Sequence, residues 1–150
     1  MGQGVIHFEI LGEHPKKLQS FYAKQFGWNV DANNPMAYGV VDTKARGKSK
    51  GINGGIAGPP PSGPKNGVMF YIQVPAINGA LAKIEKAGGK AVMPRTVIPG
   101  MVTFAQFLDP AGNAIGLVES RRPPAPKAPK KLAKKRKGKK KKAKGKRSKR

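Results

Sequence analysis

Side chains able to move a proton or hold a metal are scarce in this 150-residue chain, which has two histidines, seven carboxylates and no cysteine. The most suggestive pair lies in the stretch VIHFEI, residues 5–10, where His7 and Glu9 flank Phe8. Residues two apart on an extended strand share a face, so imidazole and carboxylate point the same way. Such a pair suits general-base chemistry, one group taking the proton and the other orienting it. The plainer reading is a polar strand face hydrogen-bonded to its neighbours. His14 stands before Pro15 at a helix start, where capping or exposure is expected rather than chemistry. GINGGIAG, residues 51–58, is glycine-rich like a phosphate loop but lacks the lysine and the following helix. Its glycines are expected to serve close strand approach or a bulge. DPAGN, residues 109–113, reads as a tight turn in which Asp109 and Asn113 are structural.

The elements that must position these groups follow from apolar periodicity. VIHFEI is a strand. Leu18, Phe21, Tyr22 and Phe26 recur at helical spacing behind Pro15, and Gly27 ends that helix. Trp28 and Val30 open a second strand, MAYGVVDT forms a third, and GINGGIAG a glycine-weakened fourth. GPPPSGPKNG, residues 58–67, holds no regular element and reads as a linker. Beyond it, VMFYIQV (68–74) is a strand, and Ile77, Leu81 and Ile84 face one side of a short helix stopped by Gly88 and Gly89. KAVMPRTVI is mixed, and MVTFAQFLD and AIGLVES are strands.

Each half therefore reads strand, helix, three strands. His7 lies 20 residues before Gly27 and Met69 lies 19 before Gly88, which makes His7 and Met69 equivalent. Alternation places Val5, His7 and Glu9 on one face and Ile6, Phe8 and Ile10 on the other. Likewise Met69, Tyr71 and Gln73 share a face, with Phe70, Ile72 and Val74 against the second helix. The expected fold class is α+β, two βαβββ modules forming a curved mixed sheet around a cavity. His7 and Glu9 are the candidate catalytic pair in that cavity. Asn53, Met69, Tyr71, Gln73 and Gln106 are the candidate ligand-binding residues, suited to a small polar-aromatic ligand.

VIHFEI with KKLQSFYAKQFGW, then GGIAG, FYIQVPAINGALAKIEKAGGKAVMP and FLDPAGNAIGLVES, together resemble the vicinal oxygen chelate superfamily over roughly residues 4–120. This is the glyoxalase, bleomycin-resistance and extradiol-dioxygenase group. The FGW form with a closing GLVE is most similar to its glyoxalase-related members. The resemblance implies paired βαβββ modules and a divalent metal held by one His or Glu from each of four strands. Those positions fall on His7, within GINGGIAG, on Met69 and on Gly116, with Glu119 three residues too late. Methionine and glycine cannot replace hard oxygen or imidazole ligands. The expectation is therefore no family-type metal and no cofactor, with His7 alone matching a ligand position.

Residues 121–150 hold 18 of the 30 Lys and Arg and no acid, so the remaining 12 basic residues face all seven acids. With one Leu and no aromatic residue, this segment is expected to stay disordered. It suits counterion release from a polyanion without sequence readout. Lys130, Lys131, Lys134, Lys135, Arg136, Lys137, Lys139, Lys140, Lys141 and Lys142 are its candidate nucleic-acid contacts. The organisation expected is one domain over 1–120, with modules about 4–58 and 67–120, followed by the basic tail. The leading function is a metal-free, glyoxalase-like binder of an unidentified small molecule, held on nucleic acid by the tail. The alternatives are a lyase, isomerase or dioxygenase of the same superfamily, and an architectural nucleic-acid binder. No secretory signal, myristoylation signal or membrane span is read, so the expected place is the cytoplasm with association to the nucleoid. The proline-rich linker permits a homodimer.

Overall fold

The computed structural model describes residues 2–44, 51–61 and 65–120. Its first half is β1 (Val5–Gly12), α1 (Pro15–Phe26), β2 (Asn29–Asp31), β3 (Gly39–Asp42) and β4 (Gly54–Ala57). The second half repeats the order with β5 (Asn66–Val74), α2 (Ile77–Lys86), β6 (Lys90–Ile98), β7 (Val102–Leu108) and β8 (Ala114–Glu119). All eight strands form one sheet in the order β2-β3-β4-β1-β5-β8-β7-β6. The α+β class, the two βαβββ units and the curved sheet are as the sequence led us to expect.

The halves meet where β1 and β5 run antiparallel, with Phe8 opposite Phe70, His7 opposite Tyr71 and Glu9 opposite Met69. A two-fold axis through the Phe8–Phe70 pair exchanges His7 with Met69 and Glu9 with Tyr71. The equivalence counted from the glycine stops is thus a property of the pairing register. Within each half the first and last strands are parallel, pairing Glu9 with Gly55 and Tyr71 with Gly116.

Both helices pack on one face of the sheet. Under α1, Ile10, Val41 and Ile56 are buried, with Phe8, Leu18, Tyr22, Trp28 and Val30 closing round them. Under α2, the buried set is Val74, Ile77, Leu81, Ala105, Phe107, Ile115 and Leu117. Fully burying each such aliphatic side chain is worth roughly 1.5–3 kcal/mol, so these two clusters hold the sheet's curvature. Pro15 occupies the first turn of α1, where a missing N–H costs nothing. Gly27 ends the helix in the left-handed region (φ 67°), donating its N–H to Ala23 O at 3.0 Å.

Several expectations need correction. A bulge between Val5 and His7 breaks strict alternation, so Val5 does not continue the His7–Glu9 face. Phe21 and Phe26 stay exposed, because only Leu18 and Tyr22 of the α1 stripe reach the sheet. Phe70 is also exposed, lying on the seam between the two helices rather than under α2. KAVMPRTVI is strand throughout. Pro94 is tolerated there because β6 is the sheet's edge, where its missing N–H removes no central ladder bond. The His14 side chain caps nothing; its backbone carbonyl accepts the N–H groups of Lys17 and Leu18.

Candidate functional site

The helix-free face of the sheet carries a polar cluster centred on Glu9. Tyr71, buried on β5, donates its hydroxyl to Glu9 Oε2 at 2.9 Å. Tyr38, from the turn before β3, lies 3.0 Å from His7 Nε2. Gln106 on β7 donates one amide N–H to the Tyr71 hydroxyl at 3.3 Å and another to the Met69 sulfur at 3.7 Å. The His7 and Tyr71 rings meet edge to face with centroids 5.6 Å apart. His7, Glu9 and Gln106 are half-buried, so the cluster keeps an open side.

Two glycines make room for the phenols. A Cβ on Gly55 would fall 1.7 Å from the Tyr38 hydroxyl oxygen, and one on Gly116 would fall 2.1 Å from the Tyr71 ring. Gly54 does the same on the opposite face, where a Cβ would stand 2.5 Å from the Phe8 ring. The double glycine of GINGGIAG is thus a strand thinned on both sides to admit two aromatic rings. This is the close approach expected of it, made by side chains rather than by strands.

Tyr38 is delivered by a built turn. Asn34 pairs with the Tyr38 backbone, donating Nδ2–H to its carbonyl at 2.7 Å and accepting its N–H at 3.1 Å. Ala37 sits in the left-handed region at φ 49°, which costs a residue with a Cβ about 1–2 kcal/mol. Gln19 of α1 is buried and donates to the carbonyls of Ala37 and Ile56, both at 3.2 Å. It ties the strained turn to the helix and to β4.

Electrostatics follow from this enclosure. Burial raises the Tyr38 and Tyr71 hydroxyls well above the ordinary phenol range, and the negative charge of Glu9 pushes both further up. Burial lowers the imidazole of His7. Both phenols therefore stay protonated donors at neutral pH, and the imidazole is neutral. His7 and Glu9 do not pair directly: His7 takes Tyr38 as its partner and Glu9 takes Tyr71.

The candidate residues divide accordingly. His7, Glu9, Met69, Tyr71 and Gln106 come together. Asn53 does not join them, because its exposed side chain accepts the Thr43 N–H at 3.3 Å. Gln73 is exposed on the rim of a separate cleft with Met101, Thr103 and Glu119. Tyr38, Gln19 and Asn34 carry no signal in the sequence that marks them as site residues. They lie on a helix and an irregular turn that approach β1 and β4 only in three dimensions. Asp109 is structural as expected, accepting N–H groups of Ala111 and Asn113 at 2.9 Å and Asn113 Nδ2–H at 2.8 Å.

Glu119 has a role the motif reading did not give it. It accepts the Ile77 N–H at 3.1 Å, capping α2, and takes two hydrogen bonds from Arg95 at 3.0 and 2.8 Å. The Arg95 guanidinium, then the Ile77 N–H, hold its carboxyl down at about 2.

The four-ligand set implied by the resemblance is not made by these residues. His7 and Glu9 share one strand, Met69 offers a thioether, and Gly55 and Gly116 are filled by phenol rings. No cluster of three or more His, Cys, Asp or Glu suited to a metal exists among the described residues. The candidate tail contacts from Lys130 to Lys142 lie outside the described residues. No helix among the described residues is long and apolar enough to cross a membrane.

Comparison with known proteins adds a family. The sequence model of the Glyoxalase/Bleomycin resistance protein/Dioxygenase superfamily matches residues 4–117. A curated relative, "Putative glyoxylase CFP32" of Mycobacterium bovis (strain ATCC BAA-935 / AF2122/97), is 29% identical over 107 residues. That match takes in 69% of this chain and 41% of the relative, so the chain spans less than half the relative's length. Among solved structures, a glyoxalase/bleomycin resistance protein/dioxygenase superfamily member from Vibrio splendidus 12B01 superposes with a TM-score of 0.55 at 17% identity. The match covers 79% of this chain and 100% of that one. Methylmalonyl-CoA epimerase from Mycobacterium tuberculosis gives 0.57 at 13% identity, covering 79% and 89%. At such identities the structures speak for the fold alone.

Proposed function

Because the chain belongs to the Glyoxalase/Bleomycin resistance protein/Dioxygenase superfamily, we propose that it is a metal-independent member whose helix-free sheet face binds a small organic molecule. The observation that carries this reading is the pair of phenols standing over Gly55 and Gly116. They replace side chains that β4 and β8 would contribute to a metal and rebuild the floor as a hydrogen-bonding surface. A half-buried carboxylate, an imidazole, two phenols and an amide converging on one patch suit recognition of a small ligand. Native mass spectrometry of the full chain, after exposure to the low-molecular-mass filtrate of a cell extract, tests it. A bound mass that disappears in Glu9→Gln supports the reading. A wild-type chain with no bound mass, or a mass that persists in the variant, contradicts it.

The basic tail supplies the second half of the proposal. Its 18 Lys and Arg without one acid support sequence-independent association with nucleic acid through counterion release. If about 6–10 phosphates are contacted, affinity for any DNA duplex falls by about 10³–10⁵ between 50 and 200 mM salt. Binding that survives removal of residues 121–150 rules this role out.

A further inference from the structure

From the hydrogen bonds around Glu9 and the lack of a cation paired with it among the described residues, we infer that the site takes an organic cation, an ammonium or amidinium group, rather than a carboxylate or phosphate. The inference rests on the reading of this sheet face as a ligand site and specifies the class of ligand.

Accounting starts at Glu9, whose carboxylate can only accept. Tyr71 gives its single hydroxyl hydrogen to Glu9, so the Tyr71 oxygen needs a donor, and Gln106 Nε2 supplies it. The second hydrogen of that amide points at the Met69 sulfur. The Tyr38 oxygen and His7 Nε2, 3.0 Å apart, share one hydrogen between them, whichever tautomer His7 adopts.

The side-chain donors of Tyr71 and Gln106 are therefore spent inward. What remains around Glu9 is acceptor in character: its own spare lone pairs, the Gln106 carbonyl, the Met69 thioether and the tyrosine π-faces. Charge agrees with this. Among the described residues the ion pairs are Lys65–Glu13 and Arg95–Glu119, and no cation lies within pairing distance of Glu9. A half-buried carboxylate with aromatic rings beside it and no counter-ion is complementary to a cationic hydrogen-bond donor. An anionic ligand would meet acceptors facing acceptors, at a desolvation cost no contact repays.

Benzamidinium and benzoate, alike in shape and opposite in charge, separate the possibilities when titrated into the ¹⁵N-labelled full chain. With only two histidines in the sequence, the imidazole ¹⁵N signals of His7 are readily followed. Benzamidinium should move them saturably, Glu9→Gln should weaken that binding at least tenfold, and benzoate should leave them in place. Movement by benzoate alone overturns the cation class while leaving a small-molecule site standing. If neither compound moves the His7 signals, or Glu9→Gln binds benzamidinium as tightly, the cation class is likewise overturned.

Discussion

Replacing Gly55 with alanine isolates the contact on which the account of the sheet floor depends. The added methyl would fall 1.7 Å from the Tyr38 oxygen and 2.1 Å from its Cζ, so the ring must leave. Leaving breaks its hydrogen bond with His7, worth about 0.5–1.5 kcal/mol, and gives up the burial of a half-buried ring, worth roughly 1.5–3 kcal/mol. Against this, alanine in a strand gains roughly 0.5–1 kcal/mol over glycine. The net expected cost is about 1–4 kcal/mol. In a Tyr38→Ala background the niche is already empty, and Gly55→Ala should be neutral or stabilising by up to about 1 kcal/mol. The two sites are thus coupled by about 2–4 kcal/mol. Urea unfolding reads the cycle through Trp28, the only tryptophan, which stacks on Tyr22 at 5.2 Å in the core of the first half. An equal cost of Gly55→Ala in both backgrounds would mean that Tyr38 does not occupy the niche, and the reasoning fails.

Three further substitutions follow from the same contacts. Gln19→Ala removes the side-chain donor shared by the carbonyls of Ala37 and Ile56 and should cost about 1–3 kcal/mol in urea unfolding, with His7 imidazole signals shifting as Tyr38 loosens. Ala37→Gly should stabilise by about 0.5–1 kcal/mol, read as a raised urea midpoint, because glycine adopts φ 49° without strain. Glu119→Gln concerns acid stability. The folded carboxyl is depressed to about 2 from its ordinary 4.5, so its stabilisation is present above pH 4.5 and lost as pH falls through 2. Being solvent-accessible, the pair and cap together are worth about 1 kcal/mol or less. The stability gap between wild type and variant should close between pH 4.5 and pH 2, and a gap unchanged across that window would contradict the assignment.

Much of the fold was legible because it rests on local signals. Glycine stops, a proline at the start of a helix and apolar alternation gave the order of elements, and the spacing to Gly27 and Gly88 gave the equivalence of His7 with Met69. The exposed Phe21 and Phe26 mark the limit of periodicity, which says that a helix has an apolar stripe and not how much of it the sheet covers. The site was half legible. His7, Glu9, Tyr71 and Gln106 follow from strand alternation, whereas Tyr38 reaches the floor from an irregular turn held by Gln19 and Asn34. A clue to it was present in a strand with two adjacent glycines, whose missing side chains had to be replaced by something. Glu119 looked like a metal ligand out of register. The signal that it caps α2 was the lack of a capping side chain at Ala76.

The central claim is that phenols have replaced metal ligands on the sheet floor. Elemental analysis of the full chain, purified without chelator or affinity metal and then dialysed against Ni, Zn, Mn and Fe, addresses it most directly. The account predicts that none of the four metals remains near one equivalent per chain. One tightly held equivalent that is lost in a His7→Ala/Glu9→Gln variant would contradict it.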